Sequence, residues 1–437
     1  MTASIIGFSV LLALVLLRVP IAFAMGVVGF AGFGILVSWS AAGAMVAGTA
    51  YETGVSYTLS VVPLFVLMGN FVTRAGLSDE LYTASHKFLG HKRGGLAMAT
   101  VVACGGFSAV CGSSIATAAT MARVTIPSMR RYNYSDALAT GAIASGGTLG
   151  ILIPPSVVLV LFGVMTETDI GKLFVAGLLP GLLGVLLYLV AVRLTVWINP
   201  AAGPPVDKAP WVDRIAALKS TWAVLGLFLL IIGGIYGGIF TPTEAAGIGS
   251  AGGFLIALFR GKLNLKVLLE IFVETVQTTA MLFFVLIGAI IFSNFINYAD
   301  MPTLLIDWIS SLNVAPLTVM AVILLIYVLL GCILESLSMI LLTVPVFYPL
   351  VSELVFPNVP PDMVMIWFGI VVVVVTEISL ITPPIGMNVF VLKAMLPDVE
   401  TKTIFKGVTP FWILDIVRLA LLVLVPSISL YLPSLMD

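Results

Sequence analysis

Charge is what this sequence has least of. Asp, Glu, Lys and Arg make up 9% of its 437 residues while 60% are hydrophobic, and the mean hydropathy is +1.18. That balance excludes a soluble globular protein and points to a chain that crosses a membrane many times. Twenty Lys and Arg against 21 Asp and Glu leave a formal net charge of −1, so there is no basic face for nucleic acid. The three cysteines, Cys104, Cys111 and Cys332, stand in apolar sequence without metal-ligand spacing and read as small buried residues rather than a disulfide set. The two histidines, His86 and His91, lie in one polar stretch and read as surface residues. No HExxH, no Gly-x-Ser-x-Gly elbow and no intramembrane His is present, which removes the usual routes to a membrane enzyme. Low-complexity segments are absent too, and the N-terminus lacks the charged region and cleavage site of a removable signal. The first apolar run is therefore expected to be a permanent helix.

What the sequence does have is four islands of glycine, proline and small hydroxyl residues within lipid-compatible sequence. The first is Gly105 to Thr120, with Gly112-Ser113-Ser114 at its centre, and the second is Gly146 to Ser156, with Pro154-Pro155. Backbone groups freed by Gly and Pro cannot face hydrocarbon, so such breaks are tolerated where they are buried in protein or line a watery cavity. Close helix packing through small residues is the alternative reading of any one island. Recurrence argues against it: Glu335 to Pro345 stands to Thr376–Asn388 as the first island stands to the second. Thr125 matches Thr343, Pro154-Pro155 matches Pro383-Pro384, and Phe174 matches Phe405, with offsets from 218 (Thr125 to Thr343) to 231 (Phe174 to Phe405). The chain reads as a duplication.

Apolar runs bounded by charge predict spans near 4–18, 20–38, 57–73, a re-entrant pair 94–129, a broken span 135–165 and 173–198. They continue at 221–239, 242–259, 267–298, a second re-entrant pair 316–352, a broken span 363–393 and 408–432. Each repeat (1–199 and 221–437, joined by a cytoplasmic linker 200–220) thus crosses five times and carries one hairpin and one broken helix. An odd number of crossings inverts the second repeat relative to the first, as in secondary transporters. Of the 20 basic residues, 17 fall on one side of this arrangement, Lys172 falls opposite, and Arg123 and Arg418 fall inside apolar segments. The positive-inside rule makes the crowded side cytoplasmic and both termini periplasmic. The outer side carries the acids Glu52, Glu167, Asp169, Asp300, Asp307, Glu353, Asp362 and Asp437, and the segments there, near 39–56, 166–172, 299–315 and 353–362, read as short connections. Ser78 to Leu89 reads as an interfacial helix, with Lys87, Lys92 and Arg93 at the headgroups of the bilayer.

Hairpin tips and unwound spans offer oxygen ligands without formal charge, which suits a hard cation such as sodium. In the first repeat Ser108, Gly112 and Ser113, with Ser114, are placed to face Gly147, Thr148 and Gly150; in the second, Ser336 and Ser338 are placed to face Thr376, Ser379 and Thr382. At least two sodium ions are therefore expected, one per repeat, with no organic cofactor. Half-helix N-termini favour an anion, and a substrate carboxylate is expected near Ser114, Thr117, Thr120, Asn388 and the proline pairs Pro154, Pro155, Pro383 and Pro384. Ionisable groups within spans need a partner or a task. Arg123 is either a counter-charge for the substrate or a snorkelling residue; Glu335 and Glu377 either tune a cation site or pair with Arg123; Asp415 and Arg418, three apart on one helix, read as a local ion pair.

Several stretches resemble a known family: Pro63 to Gly69, Gly112 to Thr117, Ile151 to Ser156, Gly238 to Ala246 and Thr382 to Asn388. Together they resemble the large membrane (M) subunit of tripartite ATP-independent periplasmic (TRAP) transporters, and the likeness runs from end to end. The resemblance implies an all-α, elevator-type member of the ion-transporter superfamily in the bacterial inner membrane, importing organic acids on a sodium gradient. It also implies two partners: a small four-helix membrane subunit (Q), here expected as a separate chain, and a periplasmic substrate-binding protein (P). The moving body is expected at about 94–198 and 316–432 and the scaffold at about 1–92 and 205–300. The nearest rival is a stand-alone sodium-coupled carboxylate carrier or sodium/proton antiporter of the same architecture, with an ion channel or membrane enzyme further off.

Overall fold

The computed structural model describes residues 2–312 and 314–436, and among them every regular element is helical. The outer acid Asp437 lies outside the described residues. The first half runs α1 (Thr2–Leu16), α2 (Ile21–Leu36), α3 (Trp39–Val55), α4 (Val61–Arg74) and α5 (Leu77–Leu89). It continues with the hairpin α6 (Gly95–Cys111) and α7 (Ser114–Arg131), the broken pair α8 (Asp136–Thr148) and α9 (Val157–Met165), and α10 (Ile170–Ile198). A connecting helix, α11 (Trp211–Ser220), leads to α12 (Trp222–Tyr236), α13 (Pro242–Phe259), α14 (Leu265–Tyr298) and α15 (Met301–Leu312). The second hairpin is α16 (Pro316–Gly331) and α17 (Ser336–Ser352), the second broken pair α18 (Val364–Ser379) and α19 (Met387–Met395); then come α20 (Thr401–Leu424) and a last turn, α21 (Ser427–Leu430).

Taken in order, α12 to α20 repeat α1 to α10, provided that α3 and α4 together are set against α14. The packing repeats as well. α2 packs on α14 and α4 on α13; α7 packs on α19 and α17 on α9; α8 packs on α20 and α10 on α18. Each contact turns into its partner when these elements are exchanged between the halves.

Local chemistry explains where helices stop. Ser113, Ser135 and Ser156 each cap the helix they precede by accepting a backbone N–H, from Ala116, Leu138 and Leu159. Thr241 and Glu244 form a reciprocal capping box at the start of α13. The bonds Pro154-Pro155 and Pro383-Pro384 are both cis, one in each break. Glycine lets backbones meet: a side chain on Gly29 would run into the backbone of Ile291, and one on Gly288 into the carbonyl of Ala22, so α2 and α14 touch almost backbone to backbone.

Four described helices are long and apolar enough to cross a bilayer alone: Ile170–Ile198, Leu265–Tyr298, Pro361–Ser379 and Thr401–Leu424. α1, α2, α6, α16 and α17 are apolar but only 15 to 17 residues long. At about 1.5 Å per residue they reach roughly 23–26 Å, less than the ~30 Å hydrocarbon layer.

Three expectations change. Segment 39–56 is the helix α3, not a short connection, and it joins the following helix at a 60° bend where the second half has the unbroken α14 of 34 residues. Its Ala, Gly and Thr content and Glu52 hold its hydropathy below that of a span, while Ser38 still caps it onto Ala41 N–H. Segment 299–315 contains α15, the counterpart of the expected interfacial helix α5. The linker 200–220 contains α11, tied to α5 by Lys87 and Asp213 at 3.6 Å.

Candidate functional site

The tips of both hairpins open into one cavity of about 410 Å³. From the first hairpin it is lined by Gly112, Ser113, Ser114 and Thr120, and from the second by Glu335, Ser336 and Leu337. Asn70 and Thr73 of α4 and Thr278 of α14 close the far wall. The cavity therefore sees the first turns of α7 and α17, whose N–H groups have no intrahelical partner and form the positive ends of the helix dipoles. No Lys or Arg lines it. A larger groove of about 730 Å³ runs along Leu265–Glu274, but a single helix lines it and nothing opposes that wall.

Behind the first tip, the hairpin rests directly on the first break. A side chain on Gly112 would come within 3.2 Å of the Pro155 carbonyl, and one on Gly147 within 2.8 Å of Ala118 Cβ. Over Gly150 two oxygens converge: a Cβ there would lie 2.8 Å from the Ser113 carbonyl oxygen and 3.0 Å from Thr117 Oγ1. Thr117 is fully buried and its hydroxyl has no oxygen or nitrogen partner, only the Cys111 thiol beside it. A buried hydroxyl beside a carbonyl is the donor set that a hard cation satisfies. Ser108 stands apart from this cluster, donating to Cys104 O at 2.6 Å. Thr148 donates to Ser145 O at 2.7 Å and lies 3.2 Å from Tyr188 Oη.

The second break is arranged differently. Gly331 lies against Ser379, and Cys332 Sγ reaches the Pro383 carbonyl at 3.6 Å, whereas Ser336 faces the cavity. Ser338 donates to Glu335 Oε1 at 3.0 Å. Thr376, Ser379 and Thr382 donate to the carbonyls of Val372, Thr376 and Ile378 at 2.6–2.7 Å. A hydroxyl that gives its proton to a helix carbonyl keeps a lone pair for a cation, but Thr382 also accepts from Trp412 Nε1 at 2.9 Å. Pro154 and Pro155 are buried while Pro383 and Pro384 are exposed, so the two breaks differ in their surroundings. Asn388 is fully buried; its Nδ2 donates to Ala144 O at 3.0 Å across the two halves, and its Oδ1 has no partner. Among the described residues no cluster of three or more His, Cys, Asp or Glu is placed to hold a metal ion, so the donors on offer at the breaks are carbonyls and hydroxyls.

Three of the charges expected inside spans form one network. Arg418 pairs with Glu377 and, at 2.9 Å, with Asp415; all three are buried. Asp415 also accepts from Tyr188 Oη at 2.6 Å. The local Asp415–Arg418 pair is thus present, but Glu377 joins it instead of Arg123, and Tyr188 ties it to the other half. Arg123 is exposed on α7 and does not line the cavity. Three residues of these sites are not among those the sequence pattern pointed to. Asn70 was detectable as a lone amide in an apolar run, on one helical face with Val66 and Thr73; Tyr188 and Trp412 carried no signal, because aromatic residues in apolar helices are common.

Paired hairpin tips that meet at one cavity beside the first broken helix, inside an apolar body, are the architecture of a multi-pass membrane transport protein. Residues 8–428 match the family described as "Tripartite ATP-independent periplasmic transporter, DctM component", and the chain belongs to that family. It is not an enzyme family. Similar curated proteins include a C4-dicarboxylate TRAP transporter large permease protein of Pseudomonas aeruginosa, 36% identical over 386 residues and covering 88% of each chain. The sialic acid TRAP transporter large permease protein of Vibrio cholerae is 33% identical over 100% of this chain and 99% of its own. An isethionate TRAP transporter permease protein of Oleidesulfovibrio alaskensis, named DctMQ, is 30% identical over 94% of this chain and 64% of its own. In fold, the chain resembles the YdaH transporter of Alcanivorax borkumensis, with a TM-score of 0.57 at 16% identity over 91% of this chain and 88% of that one.

Proposed function

We propose that this chain is the membrane-translocating subunit of a sodium-coupled importer of organic acids, loaded by a separate periplasmic binding protein and working beside a small four-helix membrane subunit. The observation that carries the reading is the convergence of two helix N-termini, at Ser114 and Ser336, on one cavity without a basic side chain. Such ends hold an anionic group through N–H donors and release it more readily than a buried ion pair would. Relatives named for C4-dicarboxylate, sialic acid and isethionate all handle small organic anions, so the substrate class is a carboxylate or sulfonate. Sodium supplies the countercharge, with Thr117 Oγ1, the Ser113 carbonyl and the Gly150 backbone as the first site. The second site uses Ser336, Ser338, Thr376, Ser379 and Thr382, with Glu335 and its hydrogen-bonded Ser338 setting the local potential. The two repeats are inverted relative to each other in the bacterial inner membrane, with both termini periplasmic. The acidic outer side repels a free organic anion but attracts a basic rim on a carrier protein, which favours delivery by a partner.

Uptake of a labelled organic acid into proteoliposomes tests this, with the chain and its small membrane partner reconstituted, sodium outside and a negative interior. Transport should require both sodium and the binding protein. Equal uptake with the binding protein omitted favours a stand-alone carrier; sodium flux without substrate favours a channel.

A further inference from the structure

Arg214 of α11 is 5% exposed, yet its Nε and Nη2 have no hydrogen-bond partner. Its guanidinium stands 5.1 Å from the centroid of the Trp211 ring and 5.9 Å from that of Phe88. Buried guanidinium groups are otherwise almost always bonded to carboxylate, carbonyl or phosphate, so these donors call for an acceptor from outside the chain. His91 Nδ1 is also buried without a partner. Desolvation lowers the pKa of that imidazole, and the charges of Arg214, Lys208 and Lys92 lower it further. Two backbone bonds strap the segments together, Val206 N to Gly90 O at 3.0 Å and Gly94 N to Gly203 O at 2.8 Å. Of the two acids in these segments, Asp213 is engaged by Lys87 and Asp207 is exposed.

The outward face of α11 is the second observation. Trp211, Val212, Ile215 and Leu218 lie on one face and are all about half exposed or more. A short helix that buries its arginine and exposes its apolar residues is built to meet hydrocarbon, not water. We infer that Arg214, His91, Lys208 and Lys92 bind the phosphate of an anionic phospholipid, whose acyl chains lie along the exposed face of α11. The guanidinium fork and the ring nitrogen match phosphate oxygens, and the Trp211 ring fixes the fork in place. A free phosphate would satisfy the cations and leave the apolar face uncovered.

The full-length chain, delipidated in neutral detergent, is examined by native mass spectrometry and thermal melting with phosphatidylglycerol, phosphatidylcholine or inorganic phosphate. One phosphatidylglycerol per chain should be retained and should raise the melting temperature; phosphatidylcholine and inorganic phosphate should do neither. Arg214→Gln, and separately His91→Gln with Lys208→Gln, should weaken retention on the order of tenfold or more, while Lys262→Gln, at an exposed position away from the site, should not. Because Arg214 is unpaired in the bare chain, Arg214→Met in phosphatidylcholine should melt no lower than the unsubstituted protein. Equal retention in all variants, or equal retention of phosphatidylcholine, overturns the site. A full thermal shift with inorganic phosphate alone overturns lipid as its occupant, as does displacement of the lipid by the small membrane subunit cross-linked at Trp211. If Arg214→Gln does not fold, the His91→Gln, Lys208→Gln double variant decides.

Discussion

At the scale of the residue, the sharpest feature is Thr117, fully buried above Gly150 with a hydroxyl that no oxygen or nitrogen partners. Valine has nearly the same shape and no oxygen, so Thr117→Val tests the hydroxyl without opening a cavity. The half-saturating sodium concentration for uptake should rise on the order of tenfold, equivalent to ~1.4 kcal/mol, with the melting temperature unchanged or higher. An unchanged sodium response removes Thr117 from the ion site. The Arg418 network makes a different kind of claim. Removing one partner of a buried ion pair leaves the others uncompensated and costs about 3–5 kcal/mol, so Arg418→Leu should yield little monodisperse protein. Combining it with Glu377→Gln and Asp415→Asn should recover protein, as read by fluorescence-detected size exclusion; failure of that recovery would mean that Arg418 matters for packing, not charge. The sequence exposed this network in part. Asp415 and Arg418 announce themselves by their spacing, whereas Tyr188 and Glu377 are joined to them by tertiary packing that no local pattern encodes.

Among the elements, the breaks were the most legible, because lipid forbids stray Gly, Pro and Ser clusters and they recur at Pro154-Pro155 and Pro383-Pro384, both cis. The helices α3, α11 and α15 were not legible. Their composition lies between that of a span and that of a loop, and capping by Ser38 or docking by Lys87–Asp213 settles their state. Which halves of which helices touch is decided by glycine. A side chain on Gly141 of α8 would strike the Gly407 carbonyl of α20, and one on Gly407 would strike Ala137 O. Neither obstacle is a flexible side chain, so Gly141→Val must separate the two helices and should cost at least the roughly 1–3 kcal/mol of ordinary overpacking. Gly26, of α2, has no heavy atom within 4 Å of such a side chain, and Gly26→Ala should be neutral. Melting temperatures of the two variants check this; equal losses would mean that the α8–α20 contact is not the tight one.

For the whole molecule, the cavity wall divides into two groups that an elevator movement, as the family resemblance implies, would set in relative motion. Ser113, Ser114 and Ser336 ride on the hairpins, while Asn70, Thr73 and Thr278 belong to α4 and α14. An ion and substrate site held by both halves has to stay intact while its access alternates, which is met if hairpins and breaks move as one body against the rest. Contacts inside that body are rich: Arg130, at the end of α7, bonds Asp136 at 3.0 Å and Asp398 at 2.6 Å, joining the first hairpin to both halves. In a background lacking Cys104, Cys111 and Cys332, cysteines at Asp136 and Asp398 joined by a short bifunctional maleimide should therefore leave uptake largely intact. The same reagent joining cysteines at Asn70 and Ser114, across the cavity, should arrest it, and cleavage of a reducible version of the linker should restore it. Full uptake with the Asn70–Ser114 link complete would show that these walls do not separate during transport. The mechanism would then have to be a local opening of the hairpin tips, with both bodies at rest.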